Sequence, residues 1–258
     1  MRAATATRYV TPLREGGSLP AIVEADDAGL YVAKFRGAGQ GPKALVAEVI
    51  AAHLARAAGL RVPELVLLEV DPALGRNEPD GEIRDLLRAS AGPNLGVDWL
   101  PGSLTFDPAA GRPPSPEEAA AVVWLDALLQ NVDRDARNPN LLVWHRQLWL
   151  IDHGAALYFH HAWEGAAALA VAAFPQVRRH VLLPFAGDLR AAGARLAAPL
   201  RAALPAAVAE VPEAWLAGEG RFPDAATHRE AYVEHLSARL DAAPAWEEDA
   251  ERARASVV

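Results

Sequence analysis

The sequence predicts an α+β protein of two lobes, a small N-terminal β-meander plus helix and a larger, mainly helical C-terminal lobe. Three observations carry this. Short apolar runs separated by Gly- and Asp-containing turns occupy the first 35 residues. A stretch rich in Pro, Gly and charge, Asp71 to Pro114, interrupts the regular pattern, and Ala- and Leu-rich runs at helical spacing dominate after Ala162. At 258 residues and 52% hydrophobic composition the chain can bury one large core or two modest ones, and it shows no repeat of solenoid or propeller period. The expected division is residues 1–92 and 93–258.

Taken in order, Arg8-Tyr-Val-Thr-Pro-Leu reads as a first strand and Glu15-Gly-Gly-Ser18 as a turn. Ala21-Ile-Val-Glu is a second strand, Asp26-Asp-Ala-Gly29 a hairpin turn, and Leu30-Tyr-Val-Ala-Lys-Phe35 a third strand. Leu45, Val46, Val49, Ile50, Leu54 and Ala57 then recur at helical spacing until Gly59 offers a stop, and Leu65 to Val70 supplies another strand. The Pro/Gly-rich stretch Asp71 to Pro114, which contains a helical run at Glu82 to Ala89, is expected to connect the lobes, and Pro93 to Phe106 within it to line the mouth of a site. Ser115-Pro-Glu-Glu118 is a helix start: serine N-cap, proline at the first position, glutamate completing a capping box. The apolar run Val122 to Leu129 that follows predicts a buried helix. Further helices are expected over Val177 to Leu183, Leu189 to Leu204 and Thr227 to Leu240, with a frayed charged tail from Trp246.

Composition excludes several chemistries. The chain has no cysteine, hence no disulfide, thiolate metal site or cysteine nucleophile. A net charge of -8 disfavours a general nucleic-acid binder. The longest apolar stretch, Ala166 to Phe174, is far shorter than the roughly 20 residues of a membrane span, and Met1 to Arg8 lacks a secretory apolar region. A cytoplasmic protein is expected. His145, His160 and His161 lack the helical His spacing of a zinc site. Among basic residues all but Lys34 and Lys43 are arginine.

The segment richest in chemistry is Asn131-Val-Asp-Arg-Asp-Ala-Arg-Asn138-Pro-Asn140, followed by two short apolar runs and then Asp152-His-Gly154. It predicts a polar loop and a hairpin that bring two acids and an amide to one edge. Phosphoryl transfer needs a carboxylate near the acceptor hydroxyl and hard oxygen ligands for Mg²⁺. Asp133 and Asn138, five residues apart, with Asp152 after the hairpin, have the order and spacing of a base and two metal ligands. Asp135 and Asn140 are also five apart, so Asn140 is a second metal candidate. Lys34 on the third strand, held by Glu48 of the next helix, has the chemistry to contact the α- and β-phosphates of ATP, as in protein kinases. Gly16, Gly17 and Ser18 are read as a phosphate-covering turn, although the G-x-G-x-x-G pattern is absent.

From Arg8 to His161 the chain resembles the HipA-like kinases, specifically the compact HipA-related bacterial group. The resemblance rests jointly on Tyr31-Val-Ala-Lys-Phe, on Glu48-Val-Ile-Ala-Ala-His-Leu-Ala-Arg-Ala-Ala-Gly-Leu-Arg-Val-Pro63, on Trp99-Leu-Pro-Gly-Ser103, on Asn131-Val-Asp-Arg with Asn-Pro-Asn140, and on Leu150-Ile-Asp-His-Gly-Ala-Ala-Leu-Tyr158. It implies a protein-kinase-like fold using ATP and Mg²⁺, with Lys34 on phosphate, Asp133 as acid/base, and Asn138 and Asp152 on metal. The chain is much shorter than the HipA toxins, so the resemblance carries neither toxin activity nor a shared substrate. The expected partners are a nucleotide and an acceptor, protein or small molecule, that the sequence does not name. The alternative is a catalytically silent nucleotide-binding or interaction module.

Overall fold

The structure, a computed structural model, describes residues 1–13, 19–39, 41–76 and 78–257. The chain is mixed α+β and divides into two compact units. One comprises Met1–Val46, Pro63–Pro101 and Pro212–Ala217; the other comprises Ala47–Val62, Gly102–Val211 and Gly218–Val258.

The first unit is built on strands β1 (Arg2–Pro12), β2 (Ala21–Ala25), β3 (Leu30–Lys34), β4 (Leu65–Val70) and β5 (Gly92–Asp98). Strands β1 to β3 form the expected antiparallel meander, but the sheet closes into a barrel in the order β1-β2-β3-β5-β4. Closure comes from β4, which runs antiparallel to β5 and parallel to β1, pairing Val66 with Arg2 and Glu69 with Thr5. Register shifts in β1 at Ala6/Arg8 and Tyr9/Thr11 bend that strand, as a small barrel requires. Inward positions are small or branched, among them Ala4, Ala21, Val23, Ala33, Val66 and Leu68. Pro93 to Asp98, expected as connector, is instead the strand that bridges β3 and β4. At Gly96 a side chain would collide with Val66, so glycine permits that close packing. Helix α2 (Gly81–Ala89), capped by Asp80, buries Ile83 and Leu87 in the same core.

Helix α1 (Pro42–Ala57) follows β3 and ends before Gly59, whose φ of +77° suits a helix stop. The second unit centres on α3 (Pro116–Leu129), in which every side chain from Ala119 to Leu129 is buried. Ser115 caps it as expected, its hydroxyl accepting the Glu118 N–H at 3.1 Å. The short strand β6 (Leu104–Thr105) and the hairpin β7 (Leu141–Trp144) and β8 (Gln147–Leu150) form a three-stranded sheet. Helices α4 (Ala166–Val171), α5 (Leu189–Ala209), α7 (Ala225–Asp241) and α8 (Ala243–Ala255) complete this unit. Helix α6 (Glu213–Leu216) belongs to the first, where the Trp215 indole N–H donates to the Pro93 carbonyl at 2.9 Å.

Two expectations are corrected here. Val177 to Leu183 is not an α-helix: a 3₁₀ turn over Pro175–Arg179 ends at His180, whose backbone is extended with ψ of 126°, and a second 3₁₀ turn starts only at Leu183, ahead of Pro184. The charged segment from Trp246 is no frayed tail: it lies in α8, where Trp246 is buried, packs against Trp124 with ring centroids 5.3 Å apart, and donates its indole N–H to the Arg239 carbonyl.

Candidate active site

The loop that leaves α3 is shaped by its own polar residues. Gln130 closes the helix in the left-handed region, with φ of 52°. Asn131 then turns inward: its amide donates to Asp126 Oδ1 at 3.0 Å, and its side-chain oxygen accepts the Asp133 N–H at 3.2 Å. Asp133 is thereby fixed relative to the buried helix.

The carboxylate of Asp133 accepts the Asn138 amide at 2.9 Å. The Asn140 amide donates to the Asp133 carbonyl at 2.6 Å and lies 3.5 Å from the same carboxylate. Asn138 is exposed and Asn140 buried. Asp135 does something else: its carboxylate accepts the backbone N–H groups of Arg137 at 2.8 Å and Asn138 at 3.1 Å, closing the turn. Those two hydrogen bonds, aided by the charges of Arg179 and Arg137, hold the Asp135 carboxyl below its usual range.

The hairpin delivers the remaining acid. Leu141 pairs with Leu150, and the Ile151 N–H donates to the Asn140 carbonyl at 3.1 Å, so Asp152 follows directly on the residue tied to Asn140. Asn140 and Asp152 both adopt positive φ, 48° and 53°, a region that Asn and Asp tolerate best among residues with a side chain. Asp133, Asn138, Asn140 and Asp152 thus share the open end of β7–β8. Next in sequence, His153 is buried and approaches Glu48, also buried, at 3.5 Å. Lys34 lies in the first unit on β3, opposite Leu95 of β5. Gly16, Gly17 and Ser18 lie outside the described residues.

Beneath the loop is a buried polar cluster that sequence reasoning missed. Asp126 Oδ2 accepts from Arg134 Nε at 2.5 Å and from His180 Nε2 at 3.0 Å. Arg134 also donates to the carbonyls of Asn140 and, at 3.4 Å, Ile151, joining loop and hairpin. Burial would push the Asp126 carboxyl up, but the Arg134 guanidinium and the His180 hydrogen bond outweigh it and hold it below the ordinary carboxylate range. Because His180 Nδ1 accepts the Leu182 N–H at 3.0 Å, the ring carries its proton on Nε2, which donates to Asp126; burial lowers the His180 pKa despite that carboxylate. The available signal was a single acid, Asp126, inside the apolar run Val122 to Leu129.

Among the described residues no group of three or more His, Asp or Glu side chains is disposed to hold a metal ion, and no helix is long and apolar enough to cross a membrane. No curated protein matches the chain. Among solved structures, the crystal structure of a Helicobacter pylori proinflammatory kinase, CtkA, aligns over 97% of this chain and 98% of that one with a TM-score of 0.53 and 13% identity, a likeness of fold. A family model described as HipA-like kinase matches residues 7–248, nearly the whole length, and the chain accordingly belongs to the HipA-like kinase family.

Proposed function

We propose that the protein is an ATP- and Mg²⁺-dependent phosphotransferase that moves the γ-phosphoryl group to a hydroxyl of an acceptor. Its fold is read as two-lobed and kinase-like, with the barrel unit as nucleotide lobe and the helical unit, which carries Asp133 and Asp152, as catalytic lobe. The observation that carries this is the gathering of Asp133, Asn138 and Asp152 at one end of the β7–β8 hairpin, with Asn138 2.9 Å from the Asp133 carboxylate. Asp133 accepts the acceptor's hydroxyl proton as the new O–Pγ bond forms and the bond from Pγ to the β-phosphate oxygen breaks, the electron pair leaving with ADP. Lys34, positioned by Glu48, contacts the nucleotide phosphates, and Gly16, Gly17 and Ser18 cover them.

The donor set suits Mg²⁺. Asp152 offers a carboxylate and Asn138 an amide oxygen, and the Asn138 nitrogen is already committed to Asp133, leaving the oxygen for an ion. Mg²⁺ takes one or two protein oxygens and draws the rest from phosphates and water, so a cage of three acids is not required. When bound, the ion neutralises charge on the transferring phosphoryl group. Asn140 is the second candidate ligand.

The reading is tested with ATP, Mg²⁺ and the full chain, following autophosphorylation and phosphate release. Asp133→Ala and Asp152→Ala should each lose activity by about a thousandfold while keeping the native circular dichroism spectrum. Unchanged turnover in folded Asp152→Ala would overturn it. Thermal stabilisation by ATP without any transfer would instead identify a silent nucleotide-binding module.

A further inference from the structure

Next to the catalytic loop the second unit contains a half-open cavity of about 240 Å³. Ala136, from the turn between Asp133 and Asn138, forms part of its wall, and Pro108, Leu183 and Phe185 make the wall mainly apolar. The wall is rigidly supported. Leu183 is buried, Phe185 meets the buried Phe106 edge-on at 6.4 Å, and His180 anchors the adjoining segment to Asp126. The backbone also ties this segment to the loop: the Val181 N–H donates to the Arg134 carbonyl at 3.1 Å, and Asp135 bridges His180.

At the rim stand Arg178 and Arg179, adjacent and exposed; the charge of Arg179 acts on Asp135, but neither guanidinium makes a close ion pair with a described residue. In a chain carrying 33 acids against 25 lysines and arginines, two adjacent arginines open to solvent beside the turn that carries Asp133 are a local reversal of sign. The cavity is smaller than the roughly 300 Å³ at which pockets begin to enclose a whole small ligand, so it suits one side chain of a larger molecule. We propose that this cavity is an acceptor subsite that seats an apolar side chain of a polypeptide, with Arg178 and Arg179 selecting an acidic residue next to it. The proposal rests on the phosphotransferase reading and assigns its acceptor a class: a segment whose hydroxyl residue is flanked by apolar and acidic side chains. Guanidinium groups favour carboxylates through paired hydrogen bonds as well as charge.

The test uses the full chain and two pools of fluorescent serine peptides, alike in apolar content but carrying Glu or Lys beside the serine. Binding is read by anisotropy, and transfer from ATP is read separately. The Glu pool should bind about tenfold more tightly, and Arg178→Glu/Arg179→Glu should abolish or invert that preference, with Arg178→Ala/Arg179→Ala intermediate. Equal binding of the two pools, or a preference that survives charge reversal, overturns the subsite. Full displacement of the Glu pool by glycerol 3-phosphate at matched concentration overturns the polypeptide assignment. Transfer to both pools alike leaves the phosphotransferase reading standing and the subsite refuted, whereas a pool preference without transfer refutes that reading and with it the acceptor role, leaving the cavity as a peptide-binding site.

Discussion

Asn138 and Asn140 both donate to Asp133, yet they should respond differently to substitution. Asn138 is exposed, so Asn138→Ala should leave the unfolding midpoint almost unchanged and raise the Mg²⁺ concentration at which turnover is half-maximal, measured by titrating the ion. Asn140 is buried at positive φ, and its amide satisfies the Asp133 carbonyl. Asn140→Ala leaves that carbonyl without its side-chain partner and places alanine where it is strained, costing about 2 kcal/mol in urea denaturation. Asp135→Ala removes only a turn closure, about 1 kcal/mol, and turnover should survive; a collapse of activity would restore the Asp135/Asn140 pair as the working one. In the sequence these two pairs have identical spacing and could not be ranked by it. What separates their surroundings is that Asp135 Oδ1 accepts both turn N–H groups, of Arg137 and Asn138, while the Asp133 carboxylate accepts the Asn138 side chain, a difference of backbone dihedrals that residue spacing does not encode.

At the level of elements, the loop, the hairpin and the 3₁₀ turns before α5 converge on one buried ion pair. Removing either partner leaves an uncompensated charge in the interior, so Asp126→Leu or Arg134→Met should each cost about 3–5 kcal/mol, while the double exchange Asp126→Leu/Arg134→Met should cost less than the sum of the singles. A double-mutant cycle in urea checks this. A similar argument applies where α5 crosses α3: a methyl group at Gly193 would press on the Trp124 indole nitrogen at 2.6 Å and on Glu247, which accepts that indole's hydrogen. Gly193→Ala should therefore destabilise by about 1–3 kcal/mol through overpacking. Helices with plain periodicity, α1, α3, α5 and α7, were legible in the sequence, as was the capping of α3 by Ser115. The strand β5 was not, because Gly92-Pro93-Asn94 reads as loop chemistry and only its pairing with two neighbours makes it a strand. Helix α8 was equally hidden: its exposed face is so charged that the few buried positions, Trp246, Ala250 and Ala253, do not stand out.

Across the whole molecule, a buried histidine makes stability fall in acid. His235 stacks on Phe159 with ring centroids 3.4 Å apart, and burial, with Arg239 nearby, lowers its pKa to about 4 from an ordinary 6.5. Between those values the unfolded chain binds a proton that the folded chain refuses, so stability falls as pH drops through that window, by about 3 kcal/mol at its lower end. His235→Phe should flatten this limb of the stability curve, read from urea midpoints between pH 4 and 7. The closed barrel has a different consequence, in time rather than energy. A strand at the edge of an open sheet has one side unpaired, and its outward amides exchange with solvent quickly. Here Arg2 to Thr5 form a ladder with Val66 to Glu69 in a sheet that has no edge. The hydrogen-bonded amides of that ladder should exchange deuterium as slowly as those of β3, reporting the opening of the barrel as a single cooperative event.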